Sequence, residues 1–192
     1  VGIYDNKCIV SLKKNLQLAK SVAPNKSCFG IQLAHAGRKA STQRPWEGRS
    51  ALTKGEKPWK TISPSPIPFQ ENWHVPDEMK LSDIERVKKQ FISASLKAVE
   101  IGFDLIEIHG THGYLLHQFL SPISNKRKDK YGGNLENRMR FPLEIFSSVK
   151  VCLPKNFPLG MRITGTEWEK NGIDENEATV FAKELEKIGC HY

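Results

Sequence analysis

The chain has 192 residues, of which 39% are hydrophobic and 26% charged, as is typical of a globular protein with one sizeable core. It has no apolar run near the ~18 residues that a membrane helix needs. Its four cysteines match neither a zinc ribbon nor an iron–sulfur cluster, so we expect a reducing, cytoplasmic setting. The net charge of +8 comes largely from scattered lysines, which favours a solvated surface over nucleic-acid binding.

Helical and strand patterns alternate through the first half of the chain. Apolar residues at helical spacing predict a helix over residues 6–22, and a short apolar strand at 28–34 follows it. A longer helical pattern over 82–101 ends at Gly102 and leads into a strand at 103–109. This order indicates repeated helix–strand units, which form parallel sheets.

The same alternation continues in the second half. A helix is predicted over about 134–151, bent by Pro142, and a strand at 159–164 follows it. A last helix is expected over about 174–189, and a further strand should begin at Cys190.

Two sequence signals predict where helices begin. Ser82 with Glu85, and Asp174 with Glu177, have the spacing of a capping box, in which two side chains bond to the free backbone groups of the first turn.

Side chains alternate across a strand, so each predicted strand can be divided into two faces. One face is aliphatic in all three strands, with Ile31, Leu33, Ile106, Ile108, Met161 and Ile163. The opposite face is small or polar, and it carries Gln32, Glu107, His109 and Arg162.

This asymmetry decides between two α/β folds. An open, doubly wound sheet needs two apolar faces, whereas a closed (β/α)8 barrel covers only its outer face with helices. The pattern therefore favours a TIM barrel whose polar groups line the barrel mouth, where such enzymes keep their active sites. The structural alternative is that Glu107 and Arg162 simply pair with each other inside the barrel.

The segment from Arg38 to Leu81 is too long for a plain connection. It holds six of the eleven prolines and three of the four tryptophans, namely Trp46, Trp59 and Trp73. We expect an ordered functional loop or lid.

The run EIHGTHGYLLHQFLSP at 107–122 places His109 at a strand end, with His112 and Tyr114 in the following turn. A zinc site would need a third ligand, such as His35 or His117, and usually a carboxylate base. The histidines could equally be helix caps and surface residues. In a third interpretation, two imidazoles donate hydrogen bonds to one substrate oxygen while Tyr114 donates a proton.

Three segments, in the same order over nearly the whole chain, closely resemble the old yellow enzyme family of flavin-dependent ene-reductases, and its bacterial class most. They are IQLAHAGRKAS (31–41), GFDLIEIHGTHGYLLHQFLSPISNKRKDKYGGNLENRMRF (102–141) and MRITGTEW (161–168). The H-x-x-H-x-Y pattern, followed by SNxRxDxYGG and LENR, is highly specific.

The resemblance implies roles for the residues that match. Gln32 corresponds to the glutamine that hydrogen-bonds the FMN ring, and Arg162 to the arginine at the N1–O2 edge of the flavin. His109 and His112 correspond to the pair that binds the carbonyl or nitro oxygen of the substrate. Tyr114 corresponds to the tyrosine that protonates the α-carbon.

The turn between the two histidines, Gly110 and Thr111, is included in the expected substrate-binding segment. The implied cofactors are FMN and NAD(P)H, and the implied reaction is reduction of the C=C bond of an α,β-unsaturated carbonyl or nitro compound. No metal, nucleic acid or membrane is expected to take part, and the full-length protein could form a homo-oligomer.

Residues 1–192 are expected to form a partial barrel, with about the third to fifth strands and their helices. The missing strands would carry the phosphate-binding residues and any iron–sulfur cysteines, so this piece alone should be inactive. The alternatives are a flavoenzyme similar to 2,4-dienoyl-CoA reductase, a metal-dependent barrel hydrolase and a truncated pseudo-enzyme with a binding role only.

Overall fold

The computed structural model describes residues 2–192 and consists of parallel strands alternating with helices. The helices, in chain order, are α1 Asn6–Val22, α2 Leu81–Ile101, α3 Leu115–Leu120, α4 Leu135–Cys152 and α5 Glu175–Lys187. The strands are β1 Gly30–Leu33, β2 Ile62–Ser63, β3 Asp77–Glu78, β4 Leu105–Gly110 and β5 Leu159–Ile163. Each predicted helix and the three predicted strands at 28–34, 103–109 and 159–164 have counterparts, whereas no strand is assigned from Cys190; α3 and the short strands β2 and β3 were not predicted.

The main sheet has the order β1-β4-β5, and all of its strands are parallel. Gln32 lies opposite Glu107, and His109 lies opposite Arg162. Because each strand is followed by a helix before the next parallel strand, the chain forms consecutive βα units. This architecture agrees with part of a barrel.

The two faces of the sheet differ as predicted. Ile106 and Ile108 are fully buried on the outer face, and Phe91 and Phe146 of the covering helices α2 and α4 belong to the same core. Gln32 and Arg162, on the opposite face, are exposed. The division follows from the strand period of two, which places the aliphatic set under the helices.

Neither predicted capping box forms as expected, although the N-cap residue of α5 is confirmed. Helix α2 begins one residue earlier than expected, and the Asp83 carboxylate accepts the Lys80 N–H at 3.0 Å, so Ser82 lies inside the first turn. At α5, Asp174 caps the helix as predicted and accepts the Glu177 N–H at 2.8 Å. The Glu177 side chain pairs with Arg138 instead of closing the box.

The segment from Arg38 to Leu81 is bonded within itself through Arg38 and to the rest of the fold through Arg127. Nη1 of Arg38 donates to the carbonyl oxygens of Ile67 and Pro68, and Nη1 of Arg127 donates to those of Pro64 and Met79. This segment is therefore an ordered loop, as predicted.

The outer tip of this loop is a separate closed turn. Hydrogen bonds from Gln43 N–H to the Ser50 carbonyl and from Leu52 N–H to the Ser41 carbonyl, both 2.9 Å long, close its base. Residues 44–50 between them are exposed. Trp73 packs against Phe69 with ring centroids 4.9 Å apart, but Trp46 stays 77% exposed in the tip, so only some of the tryptophans help to order the loop.

The last residues continue the ladder of the main sheet. His191 donates its backbone N–H to the Leu159 carbonyl, and Met161 donates its own to the Tyr192 carbonyl. This pairing agrees with the prediction that a strand begins at Cys190. Among residues 2–192, no helix combines the length and apolar character that crossing a membrane requires.

Candidate active site

The candidate site lies on the inner face of the main sheet, at the C-terminal ends of β4 and β5. Gln32 and Glu107 form one layer, and His109 and Arg162 form the next layer toward the strand ends. Because parallel strands end at the same edge, side chains that are more than 70 positions apart in sequence meet there.

Glu107 pairs with Gln32 rather than with Arg162. Gln32 Nε2 donates to Glu107 Oε1 at 2.5 Å, and this bond directs the amide so that Gln32 Oε1 remains a free acceptor. In the described part of the chain, no carboxylate lies within ion-pair distance of the Arg162 guanidinium. The structural alternative, in which Glu107 pairs with Arg162, is therefore wrong.

The imidazole of His109 is buried and makes no hydrogen bond. The residue is only 4% exposed, and neither Nδ1 nor Nε2 has a hydrogen-bond partner among the described residues. Burial lowers the pKa of His109, and the nearby His112 and Arg162 lower it further, so the imidazole is neutral. Buried polar atoms nearly always have a hydrogen-bond partner, so the two free nitrogens of this neutral ring are available to bind a ligand.

His112 and Tyr114 complete a cluster around His109. Each of their rings lies 5.2 Å from the His109 ring, between centroids. His112 is exposed and Tyr114 is half-buried, and the Tyr114 hydroxyl has no hydrogen-bond partner within residues 2–192. The structure therefore brings together the three residues that the sequence assigned to substrate binding and proton transfer.

Gly110 and Thr111 have structural neighbours of their own. A Cβ on Gly110 would lie 2.5 Å from Cε of Met161 and 3.0 Å from the Arg162 carbonyl oxygen, so a larger residue would require the Met161 side chain to move and would press on the β5 backbone. The Thr111 hydroxyl is 2.7 Å from that of Thr164. These contacts fix the end of β4 against the end of β5, and a direct role in substrate binding stays a prediction for both residues.

The other two histidines considered for a zinc site are already engaged. Nδ1 of His35 accepts the Gly37 N–H at 3.0 Å. Nδ1 of His117 accepts the Gly113 N–H at 2.6 Å, and its Nε2 lies 3.2 Å from Glu167 Oε1. Residues 2–192 contain no group of three His, Cys, Asp or Glu side chains placed to hold a metal ion.

The exposed inner face fits a flavin ring in chemical terms. Gln32 Oε1 can accept from a ring N–H, and the unpaired guanidinium of Arg162 can meet the edge of a ring that becomes anionic on reduction. The neutral, unpartnered His109 lies beside Arg162, where an oxygen of a second ligand could accept its hydrogen bond.

Sequence reasoning missed three side chains that hold the turn between β4 and α3. Lys39 Nζ donates to the His112 carbonyl at 3.0 Å and lies 4.8 Å from the centre of the Tyr114 ring. Gln118 Nε2 donates to the Gly113 carbonyl at 2.7 Å. His117, the third, holds the Gly113 amide. Lys39 lies within the AHAGRKAS run, which was the only sequence signal for it.

Comparisons with known proteins place the chain in a family. The family model described as NADH:flavin oxidoreductase / NADH oxidase matches residues 1–191. An NADH:flavin oxidoreductase of Gibberella zeae is 42% identical over 172 residues, which cover 88% of this chain and 41% of the relative. An NADPH dehydrogenase of Geobacillus sp. is 39% identical over 189 residues, covering 98% of this chain and 50% of the relative.

A solved structure of a 2-naphthoyl-CoA reductase in complex with 2-naphthoyl-CoA is also similar, with a TM-score of 0.81 and 28% identity. It is matched by 98% of this chain but over 28% of its own length. The chain thus spans about half or less of these relatives. The comparisons confirm the resemblance and, with it, FMN and NAD(P)H as the family's cofactors. The chain belongs to the NADH:flavin oxidoreductase / NADH oxidase family, that of old yellow enzyme.

Proposed function

We propose that the complete protein is an ene-reductase: an FMN-dependent enzyme that uses NAD(P)H to reduce the C=C bond of α,β-unsaturated carbonyl or nitro compounds. The observation that carries this proposal is the cluster around His109, whose two ring nitrogens are buried and without partners. Bound FMN supplies the hydride chemistry, with electrons that come from NAD(P)H.

In this proposal His109 and His112 bind the substrate oxygen. Each neutral imidazole can donate one N–H, and the lowered pKa of His109, due first to burial, keeps that ring neutral. Hydride addition at the β-carbon moves negative charge onto this oxygen, so the two donors bind the enolate-like transition state more tightly than the substrate.

Tyr114 supplies the proton to the α-carbon. Its ring is 5.2 Å from that of His109, and its hydroxyl is free for this purpose. The ammonium group of Lys39, 4.8 Å from the ring centre, stabilises the negative charge that Tyr114 carries after the transfer.

Gln32 and Arg162 would hold the flavin. Gln32, directed by Glu107, offers its Oε1 to the ring, and Arg162 offers a positive charge with no competing acid. We propose that the remaining strands of the complete protein close a (β/α)8 barrel around this site and add the phosphate-binding residues. On that basis residues 1–192 alone would not retain flavin and would be inactive.

The structural neighbour supports a second candidate. A chain that resembles a 2-naphthoyl-CoA reductase could reduce an unsaturated acyl-CoA thioester, whose carbonyl oxygen His109 and His112 would bind in the same way. The paired histidines beside a proton-donating tyrosine favour the simpler enones.

The complete protein separates these candidates. It should be purified as a yellow protein whose colour is bleached by NADPH without air and restored by 2-cyclohexenone. Restoration by an enoyl-CoA or dienoyl-CoA ester but not by cyclohexenone would favour the second candidate. A colourless protein that chelators inactivate would contradict both.

A further inference from the structure

The turn that carries His112 and Tyr114 has an unusual backbone. His112 and Gly113 both adopt the left-handed conformation, with φ of 56° and 71°. For a residue other than glycine this conformation is unfavourable, and it persists only where the surroundings determine it. Something other than backbone preference must therefore keep His112 and Tyr114 at their spacing.

Three side chains bond to the backbone of this turn, and we call them the turn clamp: Lys39, His117 and Gln118. Lys39 binds the His112 carbonyl, and Gln118 binds the Gly113 carbonyl. His117 accepts the Gly113 N–H on its Nδ1 at 2.6 Å, which is the shortest of the three contacts. The clamp thus holds the backbone on both sides of the link between His112 and Gly113.

His117 differs from Lys39 and Gln118 because a neighbouring residue, Glu167, influences which of its ring nitrogens carries the proton. Since Nδ1 accepts, the ring proton must lie on Nε2, which is 3.2 Å from Glu167 Oε1. His117 is only 6% exposed. Ser121 Oγ and the Ile173 N–H bond to Glu167 Oε2 at 2.7 and 2.8 Å, so the carboxylate is held in place from the other side.

The charge state of Glu167 agrees with this arrangement. Burial acts to raise the pKa of Glu167, but the nearby His117 and the hydrogen bonds from Ile173 and Ser121 outweigh it and lower the pKa. The ionised carboxylate, 3.2 Å from His117 Nε2, therefore favours a proton on that nitrogen by charge attraction, although the two groups are not aligned for a hydrogen bond. Glu167 belongs to the loop after β5, so the pair joins this loop to helix α3, which follows the neighbouring strand β4.

We propose that His117 is a positioning residue for the reaction, and this inference rests on the proposed function. His117 Nδ1 holds the Gly113 amide and so fixes the distance between His112 and Tyr114. Glu167 fixes the tautomer that makes Nδ1 an acceptor. His117 itself touches no substrate and moves no proton in the cycle.

Two variants of the complete, flavin-loaded protein test the two contacts of His117 separately, that of Nδ1 with Gly113 and that of Nε2 with Glu167. In His117→Asn, the amide oxygen can occupy the position of Nδ1 and still accept the Gly113 N–H. In His117→Gln, the longer side chain places its amide near the position of Nε2, so the contact with Glu167 is kept and the Gly113 amide loses its acceptor. The probe is p-hydroxybenzaldehyde, whose binding is followed by the long-wavelength absorbance of a phenolate stacked on flavin.

We expect His117→Gln to bind the phenol roughly tenfold more weakly, the effect of one lost hydrogen bond to a buried group, and His117→Asn to bind it nearly as the parent does. Flavin reduction by NADPH needs no proton from Tyr114, so we expect it to change less than phenol binding in both variants. Equal weakening in the two variants, or parental binding by His117→Gln, would overturn the proposal.

A measurement on the unmutated protein keeps the test independent of folding in the variants and of the proposed activity. The Gly113 amide should exchange its hydrogen slowly, although it lies in an irregular turn, because His117 Nδ1 accepts it. Fast exchange at Gly113 in the parent would contradict the inference even if enones are reduced. Slow exchange in a protein that reduces no enone would contradict only the proposed function.

Discussion

His109 and Tyr114 lie with their rings 5.2 Å apart, one buried at the end of β4 and the other half-buried at the start of α3. Within residues 2–192 neither the His109 nitrogens nor the Tyr114 hydroxyl has a hydrogen-bond partner. Under the proposed function, His109 binds the substrate oxygen and Tyr114 protonates the α-carbon. Because the two side chains have different proposed roles, we expect variants of His109 and of Tyr114 to affect different steps.

Tyr114→Phe should slow the oxidation of reduced flavin by cyclohexenone by roughly 10²-fold or more, because the general acid is lost. Reduction of the flavin by NADPH should stay close to the parental rate. Stopped-flow absorbance, with each half-reaction recorded without air, makes the comparison. A variant in which NADPH no longer reduces the flavin would show that Tyr114 has another role.

His109→Ala should weaken the binding of p-hydroxybenzaldehyde roughly tenfold or more, because a phenolate loses a hydrogen bond to a desolvated imidazole. Titration of the flavin absorbance with the phenol gives the affinity. The control is His191→Ala, at the opposite, N-terminal end of β5, where the imidazole bonds to the Leu159 backbone. If both variants bind the phenol equally well, His109 does not contact the ligand oxygen.

Arg162→Met should lower the midpoint potential of the bound flavin, since a cation near the ring stabilises the anionic reduced form. A decrease of about 30 mV, equivalent to roughly 1.4 kcal/mol for a two-electron couple, would be a modest effect of this kind. Arg162→Lys keeps the charge and should show a smaller decrease. Spectroelectrochemical titration gives both values, and an unchanged potential in Arg162→Met would argue against contact with the flavin.

The complete protein should lose stability in mild acid through His35. Burial, and to a lesser extent Arg86, lowers the pKa of His35 to about 4, whereas the unfolded chain would have the ordinary value near 6.5. Between these values the unfolded state binds a proton that the folded state does not. The contribution of His35 is therefore full above pH ~6.5 and falls, by at most about 3 kcal/mol, as the pH drops toward 4.

His35→Asn is the matched variant for this test, because its amide oxygen can still accept the Gly37 N–H that now bonds to Nδ1. Denaturant unfolding at pH 7 and pH 4.5 should show a smaller loss for His35→Asn than for the parent. Equal losses would mean that other groups dominate the acid dependence.

The sequence predicted the faces of the sheet well because strand alternation is a local property. Ile106 and Ile108 on one side, and Gln32 and His109 on the other, were assigned from spacing alone. The start of α2 was assigned wrongly, since Ser82 and Asp83 offer competing caps and the carboxylate bonds to Lys80. Such a choice depends on the geometry of the incoming chain.

The functions of the most recognisable motifs could not be read from spacing. Asn125 of the SNxRxDxYGG run donates to the Phe119 and Tyr131 carbonyls, and Arg138 of LENR binds the Leu120 carbonyl and Glu177. These residues brace the helices after the site rather than touch it. The partners of Asn125 are six residues away on either side, whereas those of Arg138 are 18 and 39 residues away, so only the folded chain reveals these structural contacts.

The closed tip of the long loop has a practical use. Residues 44–50 are exposed beyond the hydrogen bond that joins Gln43 to Ser50, and neither Arg38 nor Arg127 bonds to them. An affinity tag or fluorophore inserted between Glu47 and Gly48 should therefore leave the catalytic face undisturbed. It would provide a handle for immobilising the protein.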